Sequence, residues 1–217
     1  MGNTLPKNAA DFIIKLAGAD AAEINGYVSG FRLDRRLQDG IAEKKAAFGK
    51  SGRGSWGYGI GGTAGLVLYI LCRRCKPDVV VETGVASGVS STHILGALER
   101  NKRGRLYSID QPGWMGDLSG WLIPDYLGSR WHLIAGRSSE KLVPLLKKVA
   151  PIDVFLHDSD HSYPNMFREF ETAWKSLKAG GLLLAHNIDS NDAFSDFCRD
   201  KGVRGYLLDN LGGMLKP

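Results

Sequence analysis

Val79, Val80 and Val81 stand in a row between Asp78 and Glu82 and run directly into a turn built on Gly84 and Gly88. Three consecutive β-branched residues suit a strand buried on both faces, which is the usual state of a strand in a parallel sheet. The rest of the chain repeats the unit. Apolar runs predict further strands over 105–110, 131–135, 152–157 and 182–186, with helices over 63–74, 90–99, 139–149 and 164–178 between them. Phe167, Phe170, Trp174 and Leu177 share one face of the last of these, and Gly180-Gly181 is read as its stop. A helix near 192–201 and closing strands near 205–208 and 214–216 complete the pattern. Strands alternating with helices predict an α/β fold with a doubly wound, mostly parallel sheet.

The N-terminal part reads differently. Helices broken by turns are expected over 7–47, one capped by Asn8 or Asp11 and carrying Phe12, Ile13 and Leu16, another running from Asp34 to Phe48. We divide the chain into an N-terminal helical cap with a glycine-rich connector, 1–62, and a core domain, 63–217. The connector, with Trp56 and Tyr58 among its glycines, is either a plain link or a loop closing over a ligand. The 111–130 stretch, with Trp114, Trp121 and Tyr126, is either an aromatic lid or a packed insertion.

Composition removes several function classes. The net charge of +5 is spread over scattered pairs such as Lys44-Lys45 and Arg73-Arg74, without the aromatic interleaving of a nucleic-acid surface, so no nucleic-acid partner is expected. The apolar run at 65–72 is too short to span a bilayer and no leader is apparent, so no membrane partner and a cytoplasmic location are expected. Three cysteines do not make a secreted disulfide framework. Cys72 and Cys75 have redox or half-zinc-site spacing, but they end an apolar helix and no second pair follows.

In doubly wound sheets ligands bind beyond the carboxyl ends of the strands, near the point where strand order reverses. The polar clusters of this chain fall there. The loop Glu82-Thr-Gly84-Val-Ala-Ser87-Gly88 has glycines four apart, unlike a dinucleotide fingerprint, and lacks the Gly-Lys-Ser/Thr of a phosphate loop. Its opening acid places negative charge where a dinucleotide would put pyrophosphate. That disfavours NAD and suits a cationic ligand such as a sulfonium with its ammonium group; the bland alternative is a tight turn with no ligand. Asp110, ending the second strand, can accept hydrogen bonds from two ribose hydroxyls, or simply start the turn at Pro112-Gly113. Ser138, in Gly136-Arg-Ser138, can line an adenine pocket or cap the next helix.

His157-Asp158-Ser-Asp160-His161-Ser162-Tyr163 follows the fourth strand. A hydroxyl that attacks an electrophile must lose its proton, and a histidine titrates in the range needed of a general base. His161 is the expected base, with Asp158 as its catalytic partner and two nearby acids expected to raise its pKa. The alternative is an Asp-rich turn that caps the helix at 164 through Ser162 and Pro164. His93 and His132 are expected on helix faces or at the surface.

On 79–91, 106–110, 153–163 and 177–185 the chain resembles class I S-adenosylmethionine-dependent methyltransferases. Among them it is similar to the small-molecule O-methyltransferase group that includes macrolide-sugar and cephalosporin-biosynthesis relatives. The resemblance covers roughly 60–190 and implies a Rossmann-like sheet of seven strands with the last antiparallel. It implies S-adenosylmethionine as cofactor, held by Glu82, Gly84, Ser87, Gly88, Ser90, Asp110, Gln111, Ser138 and Asp158, and a small hydroxylated acceptor. In metal-dependent relatives an Asp of the fourth-strand loop and an Asp-Asn pair after the fifth strand hold a divalent cation such as Mg2+. The matching positions are Asp158, His186 and Asn187, of which His186 departs from the expected carboxylate; Asp160 or Asp189 would then substitute. The cap of such relatives builds the acceptor pocket or a dimer contact, which implies a homodimer through the cap. The rival readings are a non-catalytic binding protein of the same fold and an NAD-dependent oxidoreductase.

Overall fold

The computed structural model describes residues 5–51, 60–111 and 118–217. Trp56, Tyr58 and Trp114 lie outside the described residues. Four helices come first: α1 (Lys7–Ala17), α2 (Ala21–Arg32), α3 (Arg35–Lys50) and α4 (Gly62–Cys75). The alternating part follows as β1 (Val79–Thr83), α5 (Val89–Asn101), β2 (Arg105–Asp110), β3 (Trp131–Ala135), α6 (Ser138–Val149), β4 (Ile152–His157), α7 (Tyr163–Ser176), β5 (Leu177–Ala185), α8 (Ala193–Lys201), β6 (Tyr206–Leu208) and β7 (Leu211–Leu215).

The strands form one seven-stranded sheet in the order β3-β2-β1-β4-β5-β7-β6. Strands β1 to β5 are parallel, and β7 runs antiparallel between β5 and β6. This is the Rossmann-like, seven-stranded arrangement with an antiparallel last strand that the family resemblance implies. The strand order reverses between β1 and β4, so the cleft for a ligand opens above their carboxyl ends.

Alternate residues of the central strands feed two cores. Val80, Val154 and Leu184 point to the face covered by α1, α2, α4 and α5; Val81, Phe155 and Leu183 point to the face covered by α6, α7 and α8. Helix α1 belongs to the first core. Its Phe12 and Leu16 lie so close to Gly213 of β7 that a Cβ there would come within 2.9 and 2.6 Å of them. The glycine in β7 is what lets the helix rest on the sheet.

Several local expectations change. Asn8 and Asp11 are inside α1, whose N-cap is Pro6, and it is Asp20 and Glu23 that make a reciprocal capping box, on α2. Ser138 is already in α6 behind Arg137 and makes no side-chain cap bond. Gly180-Gly181 does not stop α7: the helix ends at Ser176 and the chain enters β5 at once. Leu177 is buried opposite Ile152, and the glycines take up the register break before Leu182 pairs with Val154. Lys216 Nζ donates to the carbonyls of Trp174 and Leu177, both at 2.7 Å, and so satisfies the helix end that a glycine cap would otherwise serve.

Candidate functional site

A cavity of about 1480 Å³ opens above the carboxyl ends of β1 to β5. Its floor is Gly84, Val85 and Ala86 of the β1 loop. One end is Ile109, Asp110 and Gln111 with Gly136, Arg137 and Ser138; the other is Asp158, Asp160, His161, His186 and Asn187. Of the predicted site residues it therefore gathers Gly84, Asp110, Gln111, Ser138, Asp158, His161, His186 and Asn187.

Gly84 is where the two central loops meet. Its φ is +84°, and a Cβ there would sit 1.9 Å from the carbonyl oxygen of Asp158, a position no side chain can take. The backbone N–H of Asp158 donates to the Thr83 carbonyl at 2.8 Å, which locks the β4 loop against the β1 loop.

Glu82, Ser87, Gly88 and Ser90 lie beneath this floor rather than on the cavity. The Glu82 carboxylate is buried and takes hydroxyls from Ser90, Ser91 and Ser108 at 2.5, 2.6 and 2.8 Å. Burial pushes its carboxyl up to about 7, against the pull of those three hydrogen bonds. The outer side of the loop is covered by the segment after 117: Gly120 N–H donates to the Ala86 carbonyl and Leu122 N–H to that of Ser87, at 2.8 and 3.0 Å. Gly88, with φ +88°, abuts Gly120. Trp121 of this segment stacks on Phe48 of α3 with centroids 4.0 Å apart, and Tyr126 lies under Arg36, so both are packing residues of an insertion.

Asp110 is well placed as an acceptor. Oδ2 receives Ala86 N–H at 3.2 Å and the Ser119 hydroxyl at 2.6 Å, and Oδ1 receives Gln111 N–H at 3.0 Å. A carboxylate offers about four acceptor directions, which leaves room for a ligand donor from the cavity.

At the other end the histidines are arranged differently from expectation. His186 Nδ1 lies 2.8 Å from Asp158 Oδ1, whereas His161 Nε2 is 3.9 Å from the same oxygen, beyond hydrogen-bonding range. The His161 pKa is lowered, not raised: half-burial dominates, the neighbouring His157 and His186 add to it, and Asp158 and Asp160 only partly offset it. His161 is thus held neutral. The three positions expected for a cation, Asp158, His186 and Asn187, all line this end of the cavity, with His186 and Asp158 hydrogen-bonded to each other; among the described residues no group of three His, Cys, Asp or Glu is arranged to hold a metal ion.

A buried network under this end escapes the sequence reading. Glu169 of α7, fully buried, accepts from Thr83 Oγ1 at 2.5 Å, Ser159 Oγ at 2.8 Å and Asn165 Nδ2 at 3.1 Å, and pairs with His157 Nδ1 at 2.7 Å. Burial pushes its carboxyl up, but the hydrogen bond and charge of His157, with hydroxyls from Ser138 and Thr83, outweigh it and hold the group at about 2. The available signal was an acid on the apolar face of α7, between Met166 and Phe170.

The remaining candidates are structural. His93 stacks on Phe31 and presses on Gly65 between α4 and α5. His132 is exposed and stacks on Tyr107. Cys72 is buried, which pushes its thiol up and leaves it inert, and neither it nor Cys75 forms a disulfide. No helix among the described residues is long and apolar enough to cross a membrane.

Comparison with known proteins agrees with this geometry. Residues 81–188 match a family described as a methyltransferase domain. No curated protein matches the chain. Among solved structures, the chain is similar to a Podospora anserina methyltransferase bound to SAH, with TM-score 0.63, 18% identity and coverage of 83% of this chain and 87% of that one. It is similar to a Bacillus cereus O-methyltransferase in complex with SAH, with TM-score 0.62, 14% identity and coverage of 95% and 96%. It is also similar to the MycE methyltransferase of the mycinamycin biosynthetic pathway, in complex with Mg, SAH and mycinamycin VI, with TM-score 0.52, 15% identity and coverage of 67% and 46%. The glycine loop, the Asp110 strand end and the histidine loop all fall inside the matched segment, and the chain belongs to the methyltransferase-domain family over these residues.

Proposed function

We propose that the protein methylates a hydroxyl of a small metabolite, with His161 as general base. The observation that carries this reading is one cavity with Asp110 at one end and a neutral histidine at the other. When bound, S-adenosylmethionine supplies a methyl group on a positively charged sulfur. The residues present fit it: Asp110 keeps acceptor capacity toward the cavity for ribose hydroxyls, Gly136, Arg137 and Ser138 line the adenine end, and Gly84 leaves the floor free of side chain.

His161 takes the acceptor's proton as the hydroxyl attacks, and Asp158, 3.9 Å away, stabilises the imidazolium that results. Asp158 also holds His186 by its Nδ1, which fixes that ring at the acceptor end. The remainder is alignment, which a rigid floor and rigid loop ends supply. If a divalent cation takes part, Asp158, His186 and Asn187 are the residues that would hold it, and it would supply further acidification of the acceptor hydroxyl.

Calorimetry with S-adenosylmethionine and with S-adenosylhomocysteine tests the cofactor. Absence of both heat and thermal shift at millimolar ligand would sink the reading. A turnover screen of hydroxylated metabolites then tests the chemistry, run with and without EDTA to read the contribution of a divalent cation.

A further inference from the structure

Two strand ends must be held in register for the proposed transfer. Thr83 ends β1 just before Gly84 of the cofactor floor, and His157 ends β4 just before Asp158. Below them lies Glu169, one of ten buried polar or charged residues among those described, which is bonded to Thr83, His157, Ser159 and Asn165 and is also served by the Ser138 hydroxyl. Oε2 serves the two strand ends and Oε1 serves the loop and helix α7. Asn165 passes the restraint on, since its Nδ2 also donates to the Asp160 carbonyl at 2.8 Å, next to His161. The His157 ring meets the His161 ring edge-on at 5.5 Å, so the pair supports the base from beneath. Glu169 does not itself line the cavity, although its partners Ser159 and Asn165 do.

We propose that Glu169 is a positioning residue that sets the cofactor floor and the base-bearing loop at a fixed separation, one through Thr83 and the other through Ser159 and Asn165. This rests on the reading of the cavity as a methyl-transfer site. It gives Glu169 two separable jobs. The Thr83 contact acts on the cofactor end and the Ser159 contact on the base end, while a buried carboxylate that merely stabilised the fold would show no such division.

The division is tested with Thr83→Val and Ser159→Ala, each of which removes one hydroxyl and keeps Glu169. Two readouts are taken on the full chain: S-adenosylhomocysteine affinity by calorimetry, and the rate of diethylpyrocarbonate modification at His161 relative to the exposed His132, read by mass spectrometry. Loss of one hydrogen bond to a charged group predicts that Thr83→Val weakens S-adenosylhomocysteine about tenfold and leaves the His161 rate within about twofold. Ser159→Ala is expected to do the reverse, leaving affinity within about twofold and raising the His161 rate several-fold. Both readouts moving together in both variants, in step with thermal stability, overturns the proposal, and so does neither readout moving. If wild-type protein binds no S-adenosylhomocysteine, the methyl-transfer reading fails on its own; the His161 arm then decides, with a rise in Ser159→Ala but not in Thr83→Val supporting the positioning role and any other pattern overturning it.

Discussion

His161 and Glu82 are both ionisable groups moved by burial, in opposite chemical directions. For His161 the charged form is disfavoured, so the ring stays unprotonated to lower pH than a free imidazole. A base works when unprotonated, so the acid limb of kcat is expected below about pH 6.5. His161→Ala should lower kcat by about 10²–10³-fold with cofactor affinity retained. A pH–rate profile of wild type and variant checks both, and an acid limb above 6.5 would remove His161 from the role. For Glu82 the sign is the other way. Its folded carboxyl titrates near 7 against 4.5 ordinarily, so between these values the folded chain holds a proton that the unfolded chain has released. Stability therefore falls as pH rises through that window, by up to roughly 3 kcal/mol for the full shift. Glu82→Gln should flatten the fall, read from urea midpoints near pH 5 and near pH 8. Glu169, held low, works oppositely: its contribution is lost as pH drops from about 4.5 toward 2.

At the scale of elements, the site is made where the β1 and β4 loops touch. Gly84→Ala would place a methyl group 1.9 Å from the Asp158 carbonyl and force a left-handed backbone on alanine. The loops would have to part, and the expected result is a loss of S-adenosylhomocysteine binding of at least about 100-fold with destabilisation of about 2 kcal/mol or more. Calorimetry and chemical unfolding measure the two; an alanine variant that binds normally would show that the contact does not set the floor. The sequence makes the glycine loop visible through its spacing, but not which of its residues face the ligand. The resemblance implies Glu82, Ser87 and Ser90 as cofactor-holding residues; β1 alternation turns Glu82 inward to three serines, and the segment after 117 covers the outer side.

For the whole molecule, the question is whether the N-terminal helices are an appendage. Phe12 and Leu16 pack on Gly213 and into the same core as Val80 and Leu184. Phe12→Ala is therefore expected to destabilise the entire chain by about 3–5 kcal/mol within one cooperative transition. Differential scanning calorimetry decides: a separate low-temperature transition, or a cost under about 1 kcal/mol, would mean that the cap folds apart from the sheet.

By itself the sequence determined the architecture. The period of the apolar residues sets strand against helix, β-branched runs mark strands buried on both faces, and glycines mark the turns at their carboxyl ends. These are local properties, and all five parallel strands and the positions of Asp110, Asp158 and His161 were legible from them, whereas the antiparallel direction of the closing strand came from the family resemblance. What only the tertiary structure decided concerns partners distant in the chain: that His186 would take Asp158, that burial would outweigh two acids at His161, and that Glu169, 86 residues from Thr83, would tie the two loops together. Hydrogen-bond pairing and desolvation depend on which groups converge in space, and residue order alone does not fix that.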